Sequence, residues 1–260
     1  MMVRTEEIDS LLSGLANKFG ADFKGYSPSF LNERVELLME EEQINSIFSL
    51  WSQILRNADL GQRTIRFLQA RDNSFFHPLS QWRHFKQLLE EKASGNLCIL
   101  YMQVGRGEGL HSLVLLLEEM GLSAKIEATD ADPSLLKIAK KAEYPNLQKE
   151  LTIKFRLLFP QGDYKKYLSS SSPNRLSSRY QKNLSYSSRN FCKMVPSRNK
   201  YDLIICSEVI KRYDEQNRKK ILDHCYTGLK KNGLLCLGPQ DEITDEADFM
   251  PLGMGIFQAK

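Results

Sequence analysis

A glycine-rich turn and an acidic residue further along the chain are the features of this sequence that most clearly indicate ligand binding. The turn, Gly105-Arg106-Gly107-Glu108-Gly109, lies between an apolar run at residues 97–104 and the helical periodicity of residues 110–120. A second strand-like run at residues 124–129 leads to Asp130, 23 residues after Gly107. Glycines let a backbone approach a ligand closely, and a carboxylate in this position accepts hydrogen bonds from ribose hydroxyls. The arrangement therefore predicts a binding site for a nucleoside cofactor.

Two classes of cofactor share this arrangement, the dinucleotides and S-adenosylmethionine. The third glycine of the dinucleotide fingerprint is missing here, and Glu108 would be a poor neighbour for a phosphate at the helix N-terminus. S-adenosylmethionine has no pyrophosphate, so the turn favours this cofactor. A strand-to-helix turn often needs a glycine for structural reasons alone, and it is Asp130 at the expected spacing that makes the turn a candidate site.

The composition is typical of a folded protein without membrane segments. The 260 residues are 42% hydrophobic and 26% charged, enough to bury one or two cores. No apolar stretch approaches the roughly 18 residues of a membrane span, and no signal-like segment opens the sequence. We therefore expect a cytoplasmic protein with no membrane insertion. The five cysteines are scattered and lack the spacing of a metal site, so no metal is expected.

Residues 164–200, here called the basic block, concentrate positive charge. They contain nine Lys or Arg and no Asp or Glu, although the whole chain carries a net charge of only +4. Two interpretations stay open: a solvated loop, or a docking surface for an acidic partner. Nucleic acid is not expected as the partner, because aromatic residues are not interleaved with the charges.

The order of predicted elements indicates an α/β protein with two domains. Apolar residues at helical spacing predict helices at residues 6–19, 28–42, 45–56, 60–69 and 82–90. From residue 97 strands and helices alternate, which predicts a parallel, Rossmann-like sheet. The predicted domains are a helical N-terminal domain at 1–85 and a cofactor-binding domain at 86–260. Serine-rich, irregular sequence predicts a small, partly mobile subdomain inserted at about 150–190.

Several segments resemble a known family when they are taken together. The strand and helix at residues 201–235 resemble class I S-adenosylmethionine methyltransferases in general. The chain from about residue 8 onward more specifically resembles the chemotaxis receptor methyltransferase (CheR) family. The segments that carry this resemblance are Phe19-Gly20-Ala21-Asp22-Phe23 with Tyr26 and Arg34, Ser74-Phe75-Phe76, Gly107-Glu108 with Ser112, Ala128-Thr129-Asp130-Ala131-Asp132, Ser187-Ser188-Arg189-Asn190-Phe191, and Pro251-Leu252-Gly253 to Phe257.

The resemblance implies a fold, a cofactor and an activity. The fold is a helical N-terminal domain followed by a Rossmann-like class I methyltransferase domain with a small inserted subdomain. The activity is O-methylation of protein glutamates on the cytoplasmic helices of chemoreceptors, with S-adenosylmethionine as the cofactor. The counterpart of Asp130 binds the ribose hydroxyls, and the counterparts of Asn190 and Phe191 contact the adenine end.

The remaining candidate site residues come partly from the resemblance and partly from the carboxyl ends of the predicted strands, where a ligand is expected near Gly105, Asp130 and Ser207-Glu208. The catalytic candidates are His77 and Tyr213. The further cofactor-binding candidates are Asn73, Gly105, Gly107, Glu108, Ser207 and Glu208.

The sequence departs from the family at several of these positions. His77 replaces the arginine of the family's Phe-Phe-Arg, which lies close to the methionine moiety. Gly109 replaces a glutamate, Ser207-Glu208 replace Arg-Asn, and a basic helix that docks the receptor has become acidic at Glu40-Glu41-Glu42.

Three functions remain compatible with these departures. The first is methylation of chemoreceptors, with Arg71 or Arg212 compensating for the arginine lost at His77. The second is a degenerate relative that acts as a regulatory or interaction protein. The third, favoured by Ser207-Glu208, is a methyltransferase for another protein or a small molecule.

Overall fold

A computed structural model describes residues 4–69, 74–93, 95–190, 197–207, 209–239, 241, 243 and 248–260. The chain forms two compact units, Met1–Arg71 with Lys211–Arg218, and Asp72–Ile210 with Lys219–Lys260. The helix Leu79–Lys92, which the sequence-based boundary at residue 85 would divide, lies entirely within the second unit. The domain limits 1–85 and 86–260 stay a prediction.

Four helices build most of the first unit within its described residues. They are α1 (Thr5–Phe19), α2 (Pro28–Glu41), α3 (Ile47–Arg56) and α4 (Ala58–Gln69). Proline opens α2 where its missing N–H costs nothing, and the Ser46 side chain caps α3 by accepting from the Ser49 N–H. The apolar faces of these helices meet in one core that includes Leu15, Val35 and Leu50. Burial of these faces, more than local propensity, stabilises helices of this length.

The second unit contains the other helices and the strands of the described chain. The helices are α5 (Leu79–Lys92), α6 (Glu108–Glu119), α7 (Pro133–Lys141), α8 (Leu147–Leu158) and α9 (Glu215–Gly228), the last beginning among residues of the first unit. The strands are β1 (Asn96–Met102), β2 (Ser123–Asp130), β3 (Leu168–Ser169), β4 (Ser172–Leu176), β5 (Leu184–Ser188), β6 (Tyr201–Ile205), β7 (Leu229–Cys236), β8 (Phe249–Gly253) and β9 (Ile256–Ala259). None of the helices in the described ranges has the length and apolarity to cross a bilayer.

Seven of the described strands form one mixed sheet in the order β5-β2-β1-β6-β7-β9-β8. Strands β5, β2, β1, β6 and β7 are parallel, whereas β9 runs antiparallel to β7 and to β8. The order reverses between β1 and β6, because the chain first builds outward through β2 and β5 and then returns beside β1. Ligands bind at such a switch point, outside the carboxyl ends of the strands. The Rossmann-like fold class predicted from the sequence is confirmed.

The region predicted as an insertion is more regular than its sequence suggested. Helix α8 buries Leu147, Leu151, Phe155 and Leu158 in the core of the second unit. Strand β5 pairs with β2 over Ile126 to Asp130 and therefore belongs to the main sheet. The small two-stranded sheet of β3 and β4 is what lies between these two elements.

Candidate functional site

The glycine turn joins the end of β1 to the start of α6. Val104 donates its N–H to the Thr129 carbonyl at 3.0 Å, which keeps the turn beside β2. Gly105 has φ +59° and Gly107 has φ +105°, a backbone region that side chains rarely adopt. A Cβ at Gly107 would also lie 2.6 Å from the Tyr144 hydroxyl oxygen. Glycine is therefore required at this position both by conformation and by space.

Asp130, at the end of β2, is bonded directly to this turn. Its Oδ2 accepts the Gly105 N–H at 2.8 Å and its Oδ1 accepts the Asp132 N–H at 2.9 Å. The carboxylate is buried at the carboxyl edge of the sheet, as parallel pairing of β1 and β2 requires. Each carboxylate oxygen can accept more than one hydrogen bond. The group can therefore hold the turn and still accept ribose hydroxyls.

Strand β5 ends beside Asp130. Ser188 is the register partner of Asp130, and the Arg189 N–H donates to the Asp130 carbonyl at 2.9 Å. Asn190 is the second residue after the end of β5 and is exposed. Phe191, the second residue predicted for the adenine end, lies outside the described residues. The edge thus combines a carboxylate suited to hydroxyls with an amide suited to a purine, which fits the adenosyl part of S-adenosylmethionine.

Ser207 and Glu108 lie at two further positions along this edge. Ser207 follows β6, the strand on the other side of the switch point, and its neighbour Glu208 lies outside the described residues. Glu108 is the first residue of α6 and is buried, with its Oε1 3.8 Å from Nε of Arg106. Charge of this sign at a helix N-terminus is favoured by the helix dipole.

Gly109, where the family pattern has a glutamate, lies against the side chain of Tyr101. A Cβ at Gly109 would lie 2.3 Å from the Tyr101 hydroxyl oxygen. A glutamate could be accommodated only by displacing the Tyr101 ring. Gly109 and Tyr101 therefore have to be considered together in any comparison with the family pattern.

His77 is exposed, but the residues before it are firmly anchored. The Phe76 N–H donates to Oγ of Ser112 at 2.8 Å, and that hydroxyl donates to the Glu108 carbonyl at 2.8 Å. The Phe75 N–H donates to Oε2 of Glu150 at 2.9 Å. The segment that carries His77 is thus tied to the first turn of α6, directly after the glycine turn. The predicted Asn73 and the neighbouring Arg71 lie outside the described residues.

Tyr213 belongs to the first unit. Its ring lies 5.2 Å from that of Tyr26, and the two residues form an isolated antiparallel bridge. The neighbouring Arg212 is buried with its guanidinium 5.6 Å from the Phe30 ring centroid. Both residues are packed against the aromatic residues at the start of α2. A catalytic role for Tyr213 stays a prediction.

Sequence reasoning missed two residues beneath the glycine turn. The helical surroundings of His111 in the sequence favour a packing or surface role, and no motif singles out Tyr144. In the structure Nδ1 of His111 lies 2.6 Å from the Tyr144 hydroxyl, which donates to the Arg106 carbonyl at 3.3 Å. Burial lowers the pKa of His111 to about 4, so its imidazole is neutral at physiological pH. Helical spacing on α6 indicated burial of His111, but only the fold brings Tyr144 to it.

The basic block is less uniformly free than its sequence suggested. Among the described residues of the block, four cations form ion pairs: Lys166 with Glu119, Arg175 with Glu143, and Arg189 and Lys200 with Glu127. Lys165 and Lys182 have exposed side chains and stand at either end of the segment that holds β3 and β4. The part of the block available to a partner is therefore smaller than the charge count implies.

Comparison with known proteins identifies the kind of domain that carries this site. The family model for "CheR methyltransferase, SAM binding domain" matches residues 71–255. A "Chemotaxis protein methyltransferase" of Listeria monocytogenes is 21% identical, over 88% of this chain and 87% of that protein. "Chemotaxis protein methyltransferase 1" of Pseudomonas aeruginosa is 24% identical, over 84% and 83%. A "Chemotaxis protein methyltransferase" of Borreliella burgdorferi is 24% identical, over 93% and 89%.

Proposed function

This chain belongs to the CheR methyltransferase family, and on that basis we propose that it methylates glutamate side chains on the cytoplasmic helices of chemotaxis receptors. The observation that carries the proposal is the 2.8 Å bond between Gly105 and Asp130, which joins the glycine turn to the predicted ribose acceptor. The relatives are named chemotaxis protein methyltransferases, which supports an acceptor in the chemotaxis system; the receptor glutamates are the acceptor that the family resemblance implies.

S-adenosylmethionine is the cofactor of this domain. When bound, it supplies a methyl group activated by the positive sulfonium. We assign Asp130 to the ribose hydroxyls, Asn190 to the adenine end, and the backbone of Gly105 and Gly107 to close contact with the ligand. Ser207 and Glu108 complete this set at the carboxyl edge of the sheet.

The proposed acceptor requires no acid–base catalysis by the protein. A glutamate carboxylate is ionised at neutral pH, so its oxygen can attack the methyl group without a general base. Alignment of the two reactants provides much of the rate. The protein must still orient the carboxylate and offset its charge, which a cationic side chain does through charge-assisted hydrogen bonds. His77 is the candidate for this task, on a segment fixed by Phe76 and Ser112.

Replacing His77 with arginine is expected to raise kcat for receptor methylation by roughly tenfold. A guanidinium is always charged and holds a carboxylate by two parallel bonds, whereas an imidazole offers a single bond from each nitrogen. Affinity for S-adenosylhomocysteine should change little. Ser80→Arg adds the same charge at an exposed position of α5 and should leave kcat unaltered. A kcat equal to that of wild type in His77→Arg would contradict a role for this position in orienting the acceptor.

The proposal itself is tested by methyl transfer to receptor fragments from the same organism. The purified full chain is incubated with tritium-labelled S-adenosylmethionine and cytoplasmic receptor fragments. We expect alkali-labile methyl esters, which are lost when the receptor glutamates are replaced with glutamine. Binding of the cofactor without transfer to any receptor would refute the activity and leave the chain an interaction protein on this fold.

The exposed Glu40 and Glu41 of α2 further predict that the receptors carry Lys or Arg near the methylated glutamates.

We also propose that the exposed Lys165 and Lys182 of the basic block contribute to docking of an acidic partner surface. The variant Lys165→Glu with Lys182→Glu should raise KM for the receptor fragment roughly three- to tenfold and flatten its dependence on salt. Lys140→Glu with Lys141→Glu, on exposed positions of α7, is the matched reversal elsewhere in the same unit. Equal KM values and equal salt dependence in the two variants would make the block a solvated surface.

A further inference from the structure

The Tyr144 hydroxyl is in direct contact with the backbone of the glycine turn. It donates to the Arg106 carbonyl at 3.3 Å and lies against Gly107, where an added Cβ would come within 2.6 Å of it. One hydroxyl oxygen therefore touches the peptide that joins these two residues. No larger residue at position 107 is compatible with this contact.

His111 completes the contact from the helix that follows the turn. Because the single hydroxyl hydrogen of Tyr144 goes to the Arg106 carbonyl, Nδ1 of His111 donates to the hydroxyl oxygen. The His111 backbone N–H in turn donates to the Gly107 carbonyl at 2.9 Å. The two side chains thus link the carbonyl of the Arg106–Gly107 peptide to α6, whose first backbone bond holds the next carbonyl, that of Gly107.

The pair is costly for stability alone. Nε2 of His111 is buried and has no hydrogen-bond partner among the described residues. A buried polar atom without a partner costs about 1–3 kcal/mol, which an apolar side chain at the same place would avoid. A role in packing does not account for this choice of residue, whereas a role in placing the turn does.

Tyr144 is held rigidly enough to serve as a reference point for the turn. Its ring meets the buried Phe75 ring edge-on, with centroids 5.1 Å apart. Its backbone N–H donates to the Asn174 carbonyl at 2.8 Å, and the neighbouring Glu143 pairs with Arg175. The hydroxyl therefore cannot follow a movement of the turn without breaking contacts on two other sides.

We infer that Tyr144, supported by His111, is a positioning residue for cofactor binding. Its hydroxyl fixes the Arg106–Gly107 peptide and thereby holds Gly105 where its N–H meets Asp130. The inference rests on the proposed function in one respect, namely that the cofactor binds at this turn. Loss of the hydroxyl should then loosen the ligand-facing backbone while the rest of the unit stays folded.

The test compares two tyrosine hydroxyls that differ in location. Tyr144→Phe removes the 3.3 Å contact with the turn, whereas Tyr167→Phe removes a shorter bond, 2.7 Å to Oε1 of Glu119 at the opposite end of α6. Titration calorimetry with S-adenosylhomocysteine should show binding weakened roughly three- to tenfold in Tyr144→Phe and by less than about twofold in Tyr167→Phe. Hydrogen exchange of the amides at residues 105–108 should quicken in the first variant only.

The outcomes separate the inference from the function on which it rests. Wild type that fails to bind S-adenosylhomocysteine would overturn both. Equal affinity in wild type and Tyr144→Phe, or an equal loss in the two phenylalanine variants, would overturn the inference alone. His111→Leu removes the bond that supports the Tyr144 hydroxyl and should weaken binding in the same direction, which keeps the inference testable if Tyr144→Phe does not fold. The double variant should bind no more weakly than Tyr144→Phe, since that variant has already lost the hydroxyl through which His111 acts.

Discussion

Replacement of Asp130 with alanine is expected to weaken binding of S-adenosylhomocysteine by roughly ten- to a hundredfold. The carboxylate is the proposed acceptor for ribose hydroxyls, and a hydrogen bond to a charged group contributes about 1.5–3 kcal/mol. The same carboxylate accepts the Gly105 N–H at 2.8 Å, so the variant also leaves a buried donor of the turn without its partner. Both losses act on the bound ligand in the same direction. Titration calorimetry on the purified full chain measures their sum.

Two further variants separate these losses. Asp130→Asn keeps one oxygen, which can still accept the Gly105 N–H, and should bind with intermediate affinity. Asp202→Ala is the matched control, because Asp202 accepts the Cys98 N–H of β1 at 2.8 Å but lies at the amino end of β6, the opposite edge of the sheet. It should lose stability without losing affinity. Wild-type affinity in Asp130→Ala would place the ribose elsewhere.

The predictable part of the site is the part that strand pairing alone brings together. Gly105 and Asp130 each follow a strand, and parallel strands deliver their carboxyl ends to one edge of the sheet. Their proximity therefore required only that residues 97–104 and 124–129 be recognised as strands. The S-adenosylmethionine cofactor and the family membership are also confirmed. The form of the glycine turn predicted the first, and the resemblance of several segments along the chain predicted the second. The roles assigned to the individual residues stay predictions.

The Tyr144 contact and the ion pairs of the basic block could not be predicted, because they depend on contacts between segments that are distant in the chain. Tyr144 reaches the turn because α7 packs so that Ala139 and Tyr144 both lie against Gly107. No motif in the sequence around Tyr144 indicates this contact. The ion pairs of Lys166 and Arg175 likewise join residues that are distant in sequence, so the basic block looked freer than it is.

Two elements were misjudged for local reasons. Assignment of about 150–190 to an irregular insertion obscured α8, although the helix contains no serine and its four buried apolar residues follow helical spacing. An Asn-Gly pair such as Asn232-Gly233 is typical of a helix end, but β7 already begins at Leu229, and the register between β6 and β7 shifts before Leu234. Asn232 has φ +63°, so its residue type correctly indicated a left-handed backbone conformation. That conformation occurs within an irregular strand and not at the end of a helix.

Acid is expected to destabilise the second unit through His111. Burial lowers the pKa of His111 to about 4, from the value of 6.5 for an unperturbed histidine. Between these values the unfolded chain binds a proton that the folded chain does not, so the free energy of unfolding falls as the pH falls. The contribution of His111 is complete above the unfolded pKa and is lost as the pH approaches 4. A pKa difference of this size corresponds to about 3 kcal/mol.

Urea unfolding at a series of pH values measures this contribution, and one tryptophan can report on the correct unit. The chain has two tryptophans; Trp82 lies in the second unit and Trp51 in the first. Fluorescence in a Trp51→Phe background therefore follows the unit that contains His111.

His111→Leu should flatten the dependence of the unfolding free energy on pH by about 3 kcal/mol, because leucine binds no proton in either state. His77→Gln, which removes an exposed imidazole, is the control and should follow wild type. Carboxylates titrate in the same range in all of these proteins, so the difference between the curves isolates His111. Parallel curves for wild type and His111→Leu would mean that the folded protein admits the proton, and that the imidazole beneath the turn is not held neutral.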